Sequence, residues 1–153
     1  MTKISKREVD ETIITDDDLS LGAWEDWTPT FANFTKGSAT IVAKFKQIGK
    51  TVHFRVSVTL AADSVVGASP TIGLPVPAVT YPTNTPIGVA YFRDASVPSV
   101  TLGRITISGT TATIPTYFSV VGSLITHNGL SAVLPFTWAT GDYILCTGTY
   151  EAD

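Results

Sequence analysis

The side chains that could carry acid–base chemistry are few and widely spaced in this chain. His53 falls on the polar face of a predicted strand, and His127 falls in a predicted turn. The carboxylates of Asp63, Asp94 and Asp142 have no local pattern that would activate them as a catalytic pair. No GxSxG, HExxH, Walker or GxGxxG motif occurs. We therefore expect a protein that is not an enzyme and that needs no cofactor.

Metal binding is the other chemistry that the sequence raises. Asp16, Asp17 and Asp18 form a run of carboxylates, and Ca²⁺ prefers oxygen ligands of this kind. The run lacks the Gly and the distal Glu of an EF-hand loop, which favours a solvated acidic turn. Cys146 is the only cysteine, so neither an internal disulfide nor a cysteine-based zinc site is expected. The sequence predicts no metal site.

The charge of the chain is concentrated at its N-terminus. Residues 1–26 carry eight acidic and three basic side chains, a net charge of −5, whereas the remainder carries +2. A total of −3 with scattered Lys and Arg makes nucleic acid a poor partner. No apolar run is long enough for a signal peptide or a membrane span, so we expect a soluble chain that does not insert into membranes.

Within the first 23 residues, two apolar pairs flank the acidic run. They are Ile13 with Ile14, and Leu19 with Leu21. Such a segment cannot build a core of its own, so these four side chains are candidates for gripping a partner. The alternative is a solvated tail. Residues 1–23 are accordingly predicted to be an acidic anchoring arm, and residues 24–153 a folded domain.

Residues 39–60 hold the strongest structural pattern. In the second half, apolar and polar residues alternate without a fault, which is typical of a β-strand with one dry and one wet face. The first half follows the same alternation, and Gly49 supplies the positive φ that a tight connection needs. The segment is predicted to be an antiparallel hairpin. Its dry positions in the second half are Val52, Phe54, Val56, Val58 and Leu60.

The other segments are short and separated by turn signals. Strands are predicted at 86–92, at 101–108 with 111–118 across a Gly109 turn, and at 133–138 with 143–150 as a closing pair. Loops are predicted at 61–69 and at 120–130, the latter turning at His127, Asn128 and Gly129. The proline-rich 70–77 should lie at or beside a sheet edge. Eight or nine strands without helical periodicity predict an all-β, antiparallel, jelly-roll-like sandwich.

Aromatic residues and the low charge bear on binding. Charged residues make up 15% of the chain, against about 25% in most domains, which indicates either subunit burial or a hydroxyl-rich surface. Trp24 and Trp27 frame an acidic pair that we expect to form a turn, and they suit a core, a subunit interface or a ligand platform. The candidates for the subunit interface are Trp24, Trp27, Tyr117 and Phe118. Candidates for contacting a glycan are Tyr91 and Trp138 by stacking and Asp142 by accepting hydroxyl bonds.

Several motifs together resemble a known family. They are WEDWTPT at 24–30, AKFKQIGKT at 43–51, GLPVP at 73–77, PFTWATGD at 135–142 and GTYEA at 148–152. The chain from 24 to 153 is similar to the trimeric β-sandwich domains that end bacteriophage minor tail and tail-fibre proteins. The resemblance implies a homotrimeric, non-enzymatic protein with a structural or adsorption role.

Two functions follow as hypotheses. In the first, a homotrimer made in the host cytoplasm is assembled into the virion and docked through residues 1–23 onto a capsid or tail protein. Because tail fibres carry a long stalk and only 23 residues precede Trp24, capsid decoration or a head spike is expected as well as a minor tail role. In the second, the domain is a tail-fibre receptor-binding head, or a carbohydrate-binding module or lectin, that contacts host cell-surface glycan.

Overall fold

The chain folds entirely into β-structure. The computed structural model describes residues 22–97, 99–113, 116–121 and 124–153, and these ranges contain eleven strands where eight or nine were predicted. The strands are β1 (Glu25–Asp26), β2 (Phe31–Thr35), β3 (Thr40–Ile48), β4 (Thr51–Thr59), β5 (Val65–Ile72), β6 (Tyr81–Asp94), β7 (Ser99–Gly109), β8 (Thr111–Thr113), β9 (Thr116–Val121), β10 (Leu124–Gly129) and β11 (Tyr143–Glu151).

The predicted hairpin of residues 39–60 is confirmed as β3 and β4. The two strands pair antiparallel in unbroken register, from Thr40 opposite Thr59 to Ile48 opposite Thr51. Gly49 between them has a φ of 58°, a conformation that costs a glycine little. All five predicted dry positions are at most 4% exposed. The alternation therefore assigned both the strands and their faces correctly.

The strands follow one another in a continuous antiparallel path. The order is β1-β3-β4-β11-β6-β7-β8-β5-β2, with β9 paired to β7 and β10. β11 pairs with β4 from Tyr143 to Glu151 and with β6 from Tyr143 to Gly148, so it lies between these two strands. We call the five neighbours β3, β4, β11, β6 and β7 the central layer. One side of this layer, the inner face, contributes most of the core.

The sheet folds over the central layer. Phe31 and Phe34 on β2 line a small internal cavity together with Val56 of β4 and with Ile144 and Cys146 of β11. Side chains from the far end of the strand order thus meet the inner face of the layer, as in two packed sheets. The all-β, antiparallel, sandwich-like fold is confirmed.

The closing pair was predicted wrongly. Residues 133–138 form no strand, and β11 pairs with β4 and β6. Ser131 and Leu134 bond to each other across a tight turn, and Pro135 has no N–H to donate to a ladder. The apolar and aromatic residues of this segment serve to cover the core, since Phe136 and Trp138 pack against it.

Two predicted loops also contain strands. The loop of 61–69 ends early because β5 begins at Val65, and Val66 is buried opposite Phe34. The prediction of a long loop at 120–130 is also wrong. Its second half is β10, in which His127 pairs with Phe118 and Asn128 with Tyr117.

The other predictions for this half of the chain hold in part. The Gly109 hairpin is confirmed between β7 and β8, but 116–118 belong to β9. The proline-rich segment is half strand. Pro70 is buried in β5, next to the edge strand β2, and falls in the stretch where the β2–β5 register shifts. A residue that cannot donate is accommodated there because the ladder is already interrupted.

Candidate functional site

The two tryptophans that open the domain lie in different surroundings. Glu25 and Asp26 form β1, where a turn was predicted, and pair with Phe45 and Lys44 at the edge of the central layer. Trp27 is half-buried and packs against the core. Trp24 is 41% exposed and lies over the outer face of the layer. The two side chains therefore do not form one platform, although each was a candidate for the subunit interface.

Trp24 is held in place by two cations. The Cζ atom of Arg55 lies 4.8 Å from the centre of a Trp24 ring, and the Nζ atom of Lys46 lies 5.6 Å from it. Both distances suit cation–π attraction. Arg55 and Lys46 occupy polar positions of β4 and β3, which places the indole across the two strands.

Beside Trp24, the outer face has an open groove of about 640 Å³. Its walls come from Trp24, just before β1, and from β3, β4, β6 and β11. The groove therefore forms only when these strands pair in the central layer. His53 lies in it and its Nδ1 is 2.9 Å from the Oγ1 of Thr149. The residues that line the groove are Trp24, Lys46, His53, Phe54, Arg55, Ile87, Gly88, Val89, Thr147, Gly148 and Thr149.

Two glycines let the strands beneath the groove approach closely. Gly148 of β11 lies opposite both Gly88 of β6 and Phe54 of β4. A Cβ added to Gly148 would stand 2.6 Å from the Phe54 ring and 2.7 Å from the carbonyl oxygen of Ile87. A Cβ on Gly88 would clash with the carbonyl oxygen of Thr147. The absence of side chains at these two positions therefore shapes the base of the groove.

The cations of the groove are unequally compensated. Lys44 forms an ion pair with Asp26 at 2.8 Å. No such pair within the described part of the chain involves Lys46 or Arg55, whose partner is the uncharged ring of Trp24. The groove thus presents two positive charges that have no ion-pair partner among the described residues.

A band of exposed apolar side chains crosses the outer face next to the groove. Its central row runs in register through the five strands of the layer, from Val42 through Ser57, Leu145 and Tyr91 to Leu102. Val89 and Val100 extend it along β6 and β7. We call the following residues the apolar band: Val42 (51% exposed), Val89 (61%), Tyr91 (38%), Val100 (43%), Leu102 (55%) and the half-buried Leu145.

A buried polar atom lies beside the band. Arg104 is opposite Val89 in the β6–β7 ladder. Its Nε atom is buried and has no hydrogen-bond partner among the described residues. A buried donor without a partner costs free energy, so this atom destabilises the isolated subunit.

The glycan-contact candidates do not come together. Tyr91 belongs to the outer face, whereas Trp138 packs edge-on against Phe92, which points to the inside of the same strand. Trp138 also donates its Nε1–H to the carbonyl oxygen of Ser131. The prediction for Asp142 is wrong, because this residue is 1% exposed. Its carboxylate accepts the backbone N–H groups of Ala95 and Ala139, so it braces two loops.

The remaining loop carboxylates are also used inside the fold. The pKa of Asp63 is lowered because its oxygens accept the backbone N–H and then the hydroxyl of Ser38. The pKa of Asp94 is lowered by the hydroxyl and then the N–H of Ser96. Burial raises the pKa of the Cys146 thiol to about 12, which keeps it protonated and unreactive at neutral pH.

Several predicted site residues lie outside what the structure can place. Ile13, Ile14, Leu19 and Leu21 precede the first described residue, and so does the 16–18 acidic run. Tyr117 and Phe118 have described backbone in β9, but their side chains lie outside the description. Across the described ranges, no three His, Cys, Asp or Glu side chains are grouped to hold a metal ion.

The groove and the band were missed at the level of the sequence. Alternation had placed His53 and Arg55 on the wet face, but nothing local indicated that Trp24 would lie over Arg55. The band joins residues that are up to 103 positions apart, and it emerges only from the strand order. The sequence did contain one signal for the band. Val42 and Val89 are apolar residues at positions where the alternation predicts a solvent-facing side chain.

We compared the chain with protein-family models, with curated proteins and with solved structures, and none of them matches it. In the part of the chain that the structure covers, no helix has the length and apolar character needed to cross a membrane. The function is therefore argued from the outer face itself.

Proposed function

We propose that this protein is a non-enzymatic structural component on the surface of a bacteriophage virion. It is a homotrimer that docks through the arm, residues 1–23, as a capsid decoration, head spike or minor tail protein, and it contributes to host adsorption. The observation that carries the proposal is the apolar band. The particle itself is suggested by the motif resemblance described above.

The band supports an interface because of its continuity. Single exposed apolar residues are ordinary on protein surfaces, but a contiguous patch marks a site of interaction. Here Leu145, Tyr91 and Leu102 follow one another in register on β11, β6 and β7, and Ser57 of β4 separates them from Val42. Aromatic residues are enriched at protein interfaces, and the low charge of the chain fits a surface of which part is covered.

The band and the arm have separate roles in this proposal. The band joins copies of the chain, since stable subunit interfaces are large and apolar. The arm supplies Ile13, Ile14, Leu19 and Leu21 to a capsid or tail protein. In a trimer each contact joins two different surfaces of neighbouring copies, so the band would meet a second patch of the next subunit.

Light scattering of the full chain tests self-association. The wild type is expected at three times the 16.2 kDa monomer mass. Leu102→Glu and Val89→Glu should each give the monomer, because a charge cannot be buried unpaired in an apolar contact. Val133→Glu is the matched control, since Val133 is as exposed as Val89, at 61%, but lies in a loop away from the band. A wild-type monomer, or equal loss of trimer in the control, would count against the proposal.

Localisation on particles tests the virion role. Cryo-electron microscopy of an intact particle should show density for this domain on the capsid or tail surface. A full-length variant with Ile13, Ile14, Leu19 and Leu21 replaced by Ser should remain folded and trimeric but be absent from purified particles. Incorporation at the wild-type level would move the attachment to the folded domain.

The lectin hypothesis has less support from the geometry. A sugar site needs an exposed aromatic face with polar groups converging on it. Tyr91 and Trp138 lie on opposite sides of the central layer, and Asp142 is buried under its own loops. The tail-fibre receptor-binding alternative, which needs such a site, is not favoured by any cluster in the described residues.

A further inference from the structure

We propose that the groove beside Trp24 binds the acidic run of the same chain's arm, the carboxylates of Asp16, Asp17 and Asp18. The arm would then lie back along the outer face of its own subunit. Such docking in cis requires no particle, so it would hold for the isolated protein whether or not the chain is a virion component.

The groove has the charge that a carboxylate segment requires. Lys46 and Arg55 are diagonal neighbours on β3 and β4 and have no ion-pair partner in the described ranges, while Lys44, opposite Arg55, already has Asp26. His53 stands next to Lys46 across the same two strands. Trp24 restrains both cations at its ring, which lowers the entropy that a carboxylate must remove on binding them.

The arm has the complementary composition. Residues 8–21 contain six carboxylates and neither Lys nor Arg. Among the described residues, the acidic side chains near the groove are Asp26 of β1, which is paired with Lys44, its neighbour Glu25, and Glu151, two residues from Thr149 on β11. The arm is therefore the most acidic segment of the chain, and it joins the domain beside an uncompensated basic site.

The point at which the arm enters the domain makes the contact reachable. A Cβ placed on Gly22 would be 2.8 Å from a side-chain carbon of Ile48, so the chain passes the turn end of β3 two residues before Trp24. Lys46 is two residues from Ile48, roughly 7 Å along a strand. The four residues from Asp18 to Gly22 span up to roughly 14 Å. The chain between Asp18 and Gly22 is therefore long enough for the acidic run to reach Lys46.

The connection in one chain favours this occupant over any other. A tethered segment has an effective concentration in the millimolar range, which exceeds that of a separate molecule in dilute solution, and the disulfide experiment below distinguishes it from the arm of a neighbouring subunit. Charges on an open surface are screened by salt, so the docked arm should be released as ionic strength rises. If the same arm also anchors the protein to a particle, the groove and the particle would compete for it.

Disulfide trapping in the full chain tests the proposal. The double variant Thr15→Cys/Thr149→Cys keeps every charge and places one thiol beside the acidic run and one on the exposed wall of the groove. The native Cys146 is buried and stays unreactive. We expect a disulfide within one chain, seen as a monomer-mass species on a non-reducing gel and located by peptide mass. It should form several-fold more slowly at high salt.

Two controls separate recognition from mere proximity. Thr15→Cys/Thr59→Cys places the second thiol at the other end of β4, on the same exposed face, and should cross-link several-fold more slowly. Adding Lys46→Gln and Arg55→Gln to the first variant should slow trapping to that background, whereas adding Lys36→Gln should not.

Each contrary result overturns the proposal. Equal trapping at Thr149 and Thr59, or trapping unaffected by the loss of both cations or by salt, would mean that the groove does not recognise the arm. Disulfides between chains, seen at twice the monomer mass, would assign the groove to the arm of a second copy. None of these outcomes depends on particle attachment.

Discussion

The two faces of the central layer use the same strands in opposite ways. On β4, the inner residues Val52, Phe54, Val56 and Val58 are at most 3% exposed. The outer face of the same layer presents Arg55 on β4 and, on the flanking strands, Val42 and Leu102. These two apolar side chains are each more than half exposed. Every apolar side chain of the inner face has partners within the chain, whereas those of the apolar band have water.

This difference separates the residues that stabilise the fold from the residues that remain exposed on its surface. Apolar area removed from water stabilises a fold by about 25 cal/mol per Å², and the inner face gains this stabilisation within one subunit. The band gains little of it unless a second molecule covers it. A sheet could have solvated its outer face with Thr and Ser, as β4 does. The exposed apolar residues of β6 and β7 therefore add little to the folding of one subunit, in agreement with the proposed role of the band.

Substitutions at two adjacent positions of β4 test the difference between the two faces most directly. Phe54 is 1% exposed and its ring centre is 6.1 Å from that of Tyr150. Phe54→Ala should lower the free energy of unfolding by about 3–5 kcal/mol, because the cavity it leaves is deep in the core. Arg55→Ala, one residue further on the other face, should cost no more than about 1 kcal/mol from its contact with Trp24. Urea denaturation of both variants measures this, and equal shifts would mean that the faces are assigned wrongly.

A smaller loss of folding stability is expected from a substitution at Gly148, where the central layer has no side chain. Gly148→Ala places a methyl group against the Phe54 ring and the backbone of Ile87. Overpacking of this kind should cost about 1–3 kcal/mol, since the backbone contact cannot move aside. Gly129→Ala is the matched control, because its nearest neighbour would be Ser69 Oγ at 3.6 Å, an ordinary contact. Thermal unfolding measures the melting temperatures. If both variants melt at equally lowered temperatures, close packing at Gly148 is not the cause of the loss of stability.

The inner face was the part of the molecule that sequence could predict. Strict alternation over nine residues leaves one register for β4, and a slip would turn its apolar residues to water. The same reasoning failed where local composition and tertiary pairing disagree. Apolar residues at 133–138 suggested a strand, but Pro135 and the Ser131 turn make this segment a cover for the core.

The outer face could not be predicted in the same way. The groove requires Trp24 to meet β4 and β11, whose nearest residues are more than 20 positions away in the chain. Asp142 was misassigned for a related reason. A carboxylate after Gly141 is typical of an exposed turn, but here it accepts bonds from Ala95 and Ala139 and is enclosed by the two loops that it joins. Long-range strand order, which turn and alternation signals do not encode, decides both cases.

The smallest effect is expected for the ion pair on the outer face. Lys44 and Asp26 are 2.8 Å apart, but the Asp26 side chain is 80% exposed. Exposed pairs of this kind contribute about 0.2–1 kcal/mol, so Asp26→Asn and Lys44→Gln should each lower the free energy of unfolding by no more than that. The double variant should lose about as much as either single one, and the loss should shrink as salt screens the pair. Chemical denaturation at low and high ionic strength measures the coupling. A coupling as large as the loss at Phe54 would mean that the outer face helps to fold the single subunit, and the contrast between the two faces would no longer point to a partner.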